Sequence, residues 1–561
     1  MKKIQKKQAI KTEKAKSADL NIGKNSFFES ILNNRKLSWI LLFIFILIIT
    51  IIRLRLLDIP LERDEGEYAY MGQLLLKGEP PYTLAYNMKY PGTAIMYALI
   101  ISIFGSSTTG VHLGLLITNI SSIVIIYLIS KKLMGSIASL VTAMTFGVMT
   151  IGYSILGFAL HATHFVALFA LLGALFLLKS FEKNNLLQYL FAGLFLSLSF
   201  IMKQSGVFFI FFGIFAVFAH LYYNKTLIRR ETIKILSVFV FGITFPILLM
   251  FLLIYLSGAF DKFWFWTYTY LVEYGTKVTL KRGLELFNIE ITNQLGGKLI
   301  LYIIAAAGLF FAFLPKLIKK DTRIFLLLFL LFSFLTIVPG FYFRAHYFIT
   351  LIPAVSLLIG IFVECASKNS WISSGFGRIA AVSIILIGCS FALIKDKDYL
   401  FKFKPYDISR NKYGLNPFPE SIQISKYIKS HSNKDDRIAV IGSEPQIYFY
   451  ADRISSTGYI YTYNLMESHQ YSKMMQAEMS KEIEANPPAY IVYVLIPTSW
   501  SRTDSSSMYI FDWAQSFLDK NYTKTGVVDY ISKDEIAYMW DAEALNYNPK
   551  SQIFINVYKR R

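Results

Sequence analysis

The chain has 561 residues, 54% of them hydrophobic, with a mean hydropathy of +0.45 and a formal net charge of +20. Apolar content of that size, gathered in long runs, excludes an ordinary soluble protein and predicts a polytopic α-helical membrane protein. The positive charge is no nucleic-acid footprint, because Lys and Arg collect in short loops between the apolar runs.

Residues 1–36 form a basic tail with seven Lys in the first sixteen positions, read as cytoplasmic and solvated. The first apolar run, Trp39 to Ile52, is followed by Arg53-Leu54-Arg55 and not by a small-residue cleavage site, so it reads as an uncleaved span. Residues 54–92 form the first external loop. Within it Asp64 to Lys77 has helical periodicity, Gly78-Glu79-Pro80-Pro81 ends that helix, and Thr93 to Phe104 is a second, short apolar segment suited to an interfacial or re-entrant helix.

Further spans are expected near 108–130, 134–155, 159–180, 186–202, 205–223, 233–257, 298–315, 324–340, 345–364 and 376–394. With the first run that makes about eleven spans. If the N-terminus is inside, the inside loops carry Lys131 and Lys132; Lys179 and Lys183; Lys225, Arg229, Arg230 and Lys234; Lys316, Lys319, Lys320 and Arg323; and Lys368 with Arg378. Loops 54–92 and 258–297 and the region 395–561 then lie outside. The long apolar runs stop near 395. Arg437–Gly442, Pro488–Ile496 and Ile553–Tyr558 read as strands, with helical patterns between them at 421–430 and 508–518, which predicts a C-terminal α/β domain. Gly442-Ser443-Glu444-Pro445 is not a dinucleotide-binding fingerprint. Cys365 and Cys389 sit in apolar runs and make neither a disulfide framework nor a CxxC metal site.

The chemistry is expected in the first loop. Asp64, Glu65 and Glu67 put three carboxylates within four residues beside a span, where charge is costly unless it is used. An ionised carboxylate can deprotonate an attacking hydroxyl, and Lys89 can hold a phosphate as a point charge. Tyr68, Tyr82 and Tyr86 suit a membrane interface and can stack on sugar rings. Three other places fall at external ends. His161 and His164, spaced i and i+3, could share a helix face and bind a metal or phosphate, or be packing histidines. Lys203-Gln204 could meet a phosphate or snorkel. Arg344-Ala345-His346-Tyr347 could clamp a phosphate or pyrophosphate. Loop 258–297 adds Trp264, Trp266, Tyr268, Tyr270 and Tyr274, aromatic enough to form a second interfacial cover.

The segment 64–68, the run Lys89-Tyr90-Pro91-Gly92, and Arg344-Ala345-His346-Tyr347 followed by Pro353 resemble family 39 type glycosyltransferases. These are the protein O-mannosyltransferases and lipid A aminoarabinose transferases of the C-fold superfamily, and the resemblance covers roughly residues 38–394. It implies a polyprenyl-phosphate sugar donor and inversion at the anomeric carbon. It also implies Asp64 as catalytic base, Glu65 as its acidic partner, and Lys89, Arg344 and His346 near the donor phosphate. The chain departs from the family near 160, where many relatives carry Asp and this chain carries His161 and His164.

The resulting expectation is an integral membrane glycosyltransferase in a cell (inner) membrane. Asp64 and Glu65 are catalytic; Lys89, Lys203, Arg344 and His346 bind the donor phosphate; Tyr68, Tyr82, Tyr86, Gln204 and Tyr347 touch substrate. No cofactor is required, with a divalent metal at Glu65, His161 and His164 as an option. The acceptor is extracytoplasmic and unassigned. The alternative is a transporter or a membrane assembly protein. A transporter places ionisable residues at mid-membrane and shows a repeat; here they gather at one set of span ends.

Overall fold

The computed structural model describes residues 35–223, 230–314, 317–366, 374–533 and 535–561. The basic tail up to residue 34, and Lys225, Arg229, Lys316 and Lys368 of the basic loops, lie outside the described residues.

Each expected apolar segment is a helix. In chain order these are α1 (Arg35–Arg55), α2 (Arg63–Leu76), α3 (Gly92–Phe104), α4 (Thr108–Leu133), α5 (Ser136–Thr150), α6 (Ala162–Lys183), α7 (Leu186–Met202), α8 (Val207–Tyr223), α9 (Arg230–Leu256), α10 (Leu280–Leu295), α11 (Leu299–Phe313), α12 (Lys320–Leu335), α13 (Ile352–Ala366) and α14 (Ser374–Lys395). By length and composition, α1, α4, α6, α9 and α14 can each cross a membrane alone, as can α8 taken with the 3-10 turn before it, 20 residues from Gln204 to Tyr223. The pair α10–α11 is bent by 105° and makes a seventh if it counts as one broken span. The shortfall against the spans expected from sequence lies in α5, α7, α12 and α13. Their 15 to 17 residues rise only about 22–26 Å at 1.5 Å per residue, less than a ~30 Å hydrocarbon core.

The bundle is ordered by burial. A third of the α1, α9 and α14 windows is buried, against two thirds of α4. Peripheral helices show Phe43, Ile51, Leu248 and Phe391 outward, as lipid-facing helices do, with backbone bonds satisfied internally. Helix α6 packs on α4 and α7, α7 on α9, α13 on α5 and α11, and α8 on α12.

The break between α5 and α6 is real. A 3-10 turn at Tyr153–Ile155, Leu156 in the left-handed region (φ 57°) and an extended His161 separate the two helices. Arg53, at the end of α1, reaches into this break. It donates to Asn119 Oδ1 at 3.1 Å, to the Gly157 carbonyl at 2.9 Å and to the Thr150 carbonyl at 3.4 Å. Helix ends leave carbonyls without partners, and this guanidinium satisfies two of those around the break.

In the region expected at 395–561 the chain forms a sheet with helices between its strands. The three strands read from sequence are present as β1 (Arg437–Ile441), β3 (Tyr490–Leu495) and β6 (Phe554–Arg560). With β2 (Ile454–Ser455), β4 (Tyr522–Tyr530) and β5 (Ile536–Trp540) they form one mixed sheet in the order β2-β1-β3-β6-β4-β5. The β2-β1-β3 half is parallel and the β6-β4-β5 half antiparallel. The expected helices appear as α15 (Phe418–His431) and α18 (Tyr509–Asn521), with α16 (Gln446–Ala451) and α17 (Ser472–Ala485) between.

The domain is fastened to α2. A Cβ on Gly66 would stand 2.6 Å from Gln446 Cβ, so only glycine lets α2 lie this close to the turn after β1. Arg63, buried, donates to the Ser443 carbonyl at 2.5 Å, to Tyr463 Oη at 2.7 Å, to Asn416 Oδ1 at 3.1 Å and to Glu444 Oε1 at 3.0 Å. Glu444, also buried, accepts a second bond from Ser499 Oγ at 2.6 Å.

Candidate active site

The first turn of α2 sets the site. Glu62 caps the helix: its Oε1 accepts from Glu65 N at 3.1 Å, while Glu65 Oε2 accepts from Glu62 N at 3.4 Å, a reciprocal capping box. Successive residues on a helix point about 100° apart, so the three neighbouring acids go to different places. Asp64 and Glu67 face a cavity of about 730 Å³, and Glu65 faces away from it.

Asp64 Oδ2 lies 3.9 Å from Lys89 Nζ and 4.0 Å from His161 Nδ1. Lys89 Nζ is also 3.8 Å from Glu67 Oε2 and donates to the Tyr68 hydroxyl. Burial alone would raise the Asp64 carboxyl, but Lys89, His161, Lys203 and Arg344 outweigh it and hold the pKa below the usual carboxylate value. Glu67 goes the other way. Burial, opposed by Lys89 and helped by Asp64, lifts it to about 7. For Lys89, burial opposes the proton and the two carboxylates more than restore it, so its pKa rises.

The cations come from three breaks between helices. Lys203 is extended (φ −159°, ψ 138°) between α7 and a 3-10 turn at Gln204–Gly206. Its Nζ stands 3.4 Å from the Tyr347 ring centroid, a cation–π contact. Burial and the neighbouring Lys89 bring its pKa down to about 7. Arg344 precedes a 3-10 turn at Ala345–Thr350. It follows a segment in which Phe341 (φ 56°) and Phe343 (φ 43°) hold left-handed conformations that cost about 1–3 kcal/mol each. The guanidinium lies over Tyr342, 5.6 Å from the ring centroid, and the side chain has no carboxylate partner among the described residues. His346 stacks on His161 with centroids 4.0 Å apart.

Of the residues expected from sequence, Asp64, Lys89, Lys203, Arg344, His346, Tyr68, Tyr86, Gln204, Tyr347 and His161 line this one cavity. Three do not. Glu65 is 1% exposed, and its Oε1 accepts from Leu160 N at 2.6 Å and pairs with His112 Nε2 at 3.1 Å. Its carboxylate ties α2 to α4 and to the turn before α6. His164 does not line the cavity; its ring lies nearly parallel to that of His161, with centroids 6.5 Å apart. Tyr82 is buried and donates to the Lys89 carbonyl at 2.7 Å, so it steadies the lysine's backbone. Gln204 Nε2 does the same for the Met88 carbonyl at 2.7 Å.

Of the optional metal residues, His161 lines the cavity, where Asp64, His161 and His346 offer ligand atoms within 4.8 Å of one another, and Glu65 and His164 do not line it. Both ring nitrogens of His161 are buried without a hydrogen bond.

Sequence reasoning also missed residues. Arg63, Tyr461 and Tyr463 line the cavity, but only a fold that returns the C-terminal domain to α2 reveals them. Glu62 could have been found from the Glu62-x-x-Glu65 spacing at a helix start. From loop 258–297, Trp266, Tyr270 and Tyr274 line the cavity, as the aromatic density there suggested, while Trp264 is exposed.

Comparison with known proteins places this geometry. Residues 88–251 match the family model of dolichyl-phosphate-mannose-protein mannosyltransferases. No curated protein is a significant match. Among solved structures, apo ArnT from Cupriavidus metallidurans is similar with a TM-score of 0.56 at 12% identity, over 94% of this chain and 98% of that one. ArnT from the same organism bound to undecaprenyl phosphate gives 0.55 at 13% identity, over 81% and 93%. The archaeal oligosaccharyltransferase AglB from Archaeoglobus fulgidus, in complex with an inhibitory peptide and a dolichol-phosphate, gives 0.51 at 13% identity, over 90% and 75%. Over residues 88–251 the chain is thus similar to the dolichyl-phosphate-mannose-protein mannosyltransferases, and over most of its length it has the fold of ArnT and AglB.

Proposed function

We propose that the protein moves a sugar from a polyprenyl-phosphate donor to an extracytoplasmic acceptor, with inversion at the anomeric carbon. The observation that carries this reading is the meeting of Asp64 with Lys89, Lys203 and Arg344 around one cavity. One anionic base faces three cations drawn from separate helix breaks. Its structural neighbours hold dolichol-phosphate and undecaprenyl phosphate, and a lipid phosphate is a ligand that these cations suit.

In this mechanism Lys89, Lys203 and Arg344 hold the phosphate, with His346 beside them. Asp64 stays ionised and takes the proton of the acceptor hydroxyl as its oxygen attacks the sugar carbon. The bond from that carbon to the phosphate oxygen breaks, and the lipid phosphate leaves with the electron pair, its charge met by the fixed cations. Tyr68, Tyr86 and Tyr347 frame the substrates. Glu65 contributes by position, holding α2 against α4. In the topology that goes with this reading, the N-terminus is cytoplasmic, about eleven segments cross the bilayer, the shortest inside the bundle, and the C-terminal domain lies outside.

A second reading adds a divalent cation. Asp64, His161 and His346 could ligate one, and the unbonded nitrogens of His161 favour it. Metal content of the purified protein, wild type against His161→Ala, tests this. A bound metal lost in the variant supports it; a metal-free, active wild type rejects it.

The main reading is tested by transfer of a radiolabelled sugar from a polyprenyl-phosphate donor by purified protein. Turnover should vanish in Asp64→Asn while undecaprenyl phosphate still binds. Turnover that survives the substitution removes Asp64 as the base.

A further inference from the structure

The cavity has two chemically unlike walls. The cations described above, Lys89, Lys203 and Arg344, all come from the chain before the C-terminal domain. Among the described residues that the C-terminal domain contributes to the lining there is no Lys, Arg or His. That wall is built from Tyr413, Asn416, Phe418, Tyr461, Tyr463 and Asn464. The rings form two edge-to-face pairs, Tyr413–Phe418 at 5.0 Å and Tyr461–Tyr463 at 4.9 Å between centroids.

The charged groups that border this wall are already engaged. Arg63 spends its donors on Ser443, Tyr463, Asn416 and Glu444. Glu467 accepts from Lys277 Nζ at 2.5 Å and from Tyr270 Oη at 2.8 Å. Two polar atoms are not engaged: Tyr413 Oη and Asn464 Oδ1 are buried with no hydrogen-bond partner. Buried polar atoms are nearly always paired, so a ligand is the natural partner. Asn464 Oδ1 can only accept. A phosphate or carboxylate brings no donor to it, whereas a hydroxyl does.

We propose that this wall is an acceptor subsite for an uncharged saccharide, resting on the glycosyltransferase reading above. A pyranose offers an apolar C–H face for the partly exposed rings of Tyr413, Tyr461 and Tyr463, with Phe418 buried beside them. Its hydroxyls both donate and accept, and so satisfy Asn464 Oδ1 and Tyr413 Oη together. A peptide is the poorer fit. None of the wall residues belongs to a strand, so no sheet edge is offered to a peptide backbone. The reaction then makes a glycosidic bond. The saccharide oxygen bonds to the donor sugar carbon, the bond from that carbon to the phosphate oxygen breaks, the electron pair leaves on the lipid phosphate, and the hydroxyl proton passes to Asp64.

The test uses the purified full-length protein in detergent and saturation-transfer NMR. The probes are neutral mono- to trisaccharides of glucose, galactose, mannose and N-acetylglucosamine, with a serine- and threonine-containing peptide as comparator. Undecaprenyl phosphate binding is measured on the same samples by tryptophan fluorescence. At least one neutral saccharide should bind. Tyr461→Ala and Asn464→Ala should weaken it about 10-fold, the worth of one good contact. Tyr413→Phe, which deletes a single oxygen and spares the packing, should also weaken it, with undecaprenyl phosphate affinity unchanged throughout. The proposal is overturned if no neutral saccharide binds while undecaprenyl phosphate does, if saccharide binding ignores all three substitutions, or if only the peptide responds to them. Saccharide binding without undecaprenyl phosphate binding would keep the subsite and defeat the donor reading instead.

Discussion

Glu65→Gln separates a bracing acid from a reacting one. Glu65 is 1% exposed and its carboxylate meets three donors: Leu160 N at 2.6 Å, His112 Nε2 at 3.1 Å and Glu62 N at 3.4 Å. His112 Nδ1 lies 2.7 Å from the Leu57 carbonyl, which can only accept, so that nitrogen carries a proton. A proton is therefore shared between Nε2 and Glu65. Glutamine keeps the shape but removes the charge, and its amide turns a donor toward a donor. Breaking a buried ion pair costs about 3–5 kcal/mol, and an orphaned buried donor about 1–3 kcal/mol. Glu65→Gln should therefore lose about 3 kcal/mol or more of stability. Thermal unfolding in detergent should show the melting temperature falling by several degrees, and whatever protein stays folded should keep part of its sugar transfer. Unaltered melting with transfer abolished would refute this and make Glu65 a reacting group.

Asp64→Asn should show the opposite pattern, with melting lowered less than in Glu65→Gln, because its carboxylate is favoured by Lys89, Lys203 and Arg344 but braces no helix contact, and transfer down by about 10²–10⁴-fold; radiolabel transfer and thermal unfolding on one preparation check both. Lys203, brought down to about 7, loses its charge as pH rises through that value, while Glu67, lifted to about 7, gains a negative charge in the same window. Undecaprenyl phosphate affinity should then fall from pH 6 to pH 9, and Lys203→Arg, charged throughout, should flatten that fall; an equal slope in the variant excludes Lys203. Glu444→Gln should cost about 3–5 kcal/mol by leaving Arg63 without its buried counterion, read as lower melting and faster proteolysis between residues 395 and 418.

Much of the architecture could be read from residues. The apolar runs became helices because no polar pattern competes with them, and β1, β3 and β6 were visible as apolar stretches. Strands β4 and β5 were not, because their half-buried residues, such as Lys524 and Tyr538, alternate too weakly. At the site, Asp64 and Lys89 were found because charge beside a span is rarely idle. Which of Asp64 and Glu65 faces the cavity was not legible, because neighbours on a helix face different ways: Asp64 lines it and Glu65 does not. Glu67, given no role of its own in the sequence, faces the cavity beside Lys89. His161 and His164 are neighbours as their spacing suggests, while the nearer ring to His161, that of His346, is far away in sequence and could not be read from it.

Arg63 stands one residue before the candidate base and is held by Ser443, Glu444, Tyr463 and Asn416. The C-terminal domain is thus a structural tenant of the reaction centre as well as a cover over it. Grafting a foreign domain onto the membrane part would carry over a new wall but not the carboxylate that keeps α2 in register. Functional chimaeras should accordingly be those whose incoming domain brings a buried acid to the position of Glu444, and change of acceptor by domain exchange should be rarer than change by substitution along 413–418 and 461–467.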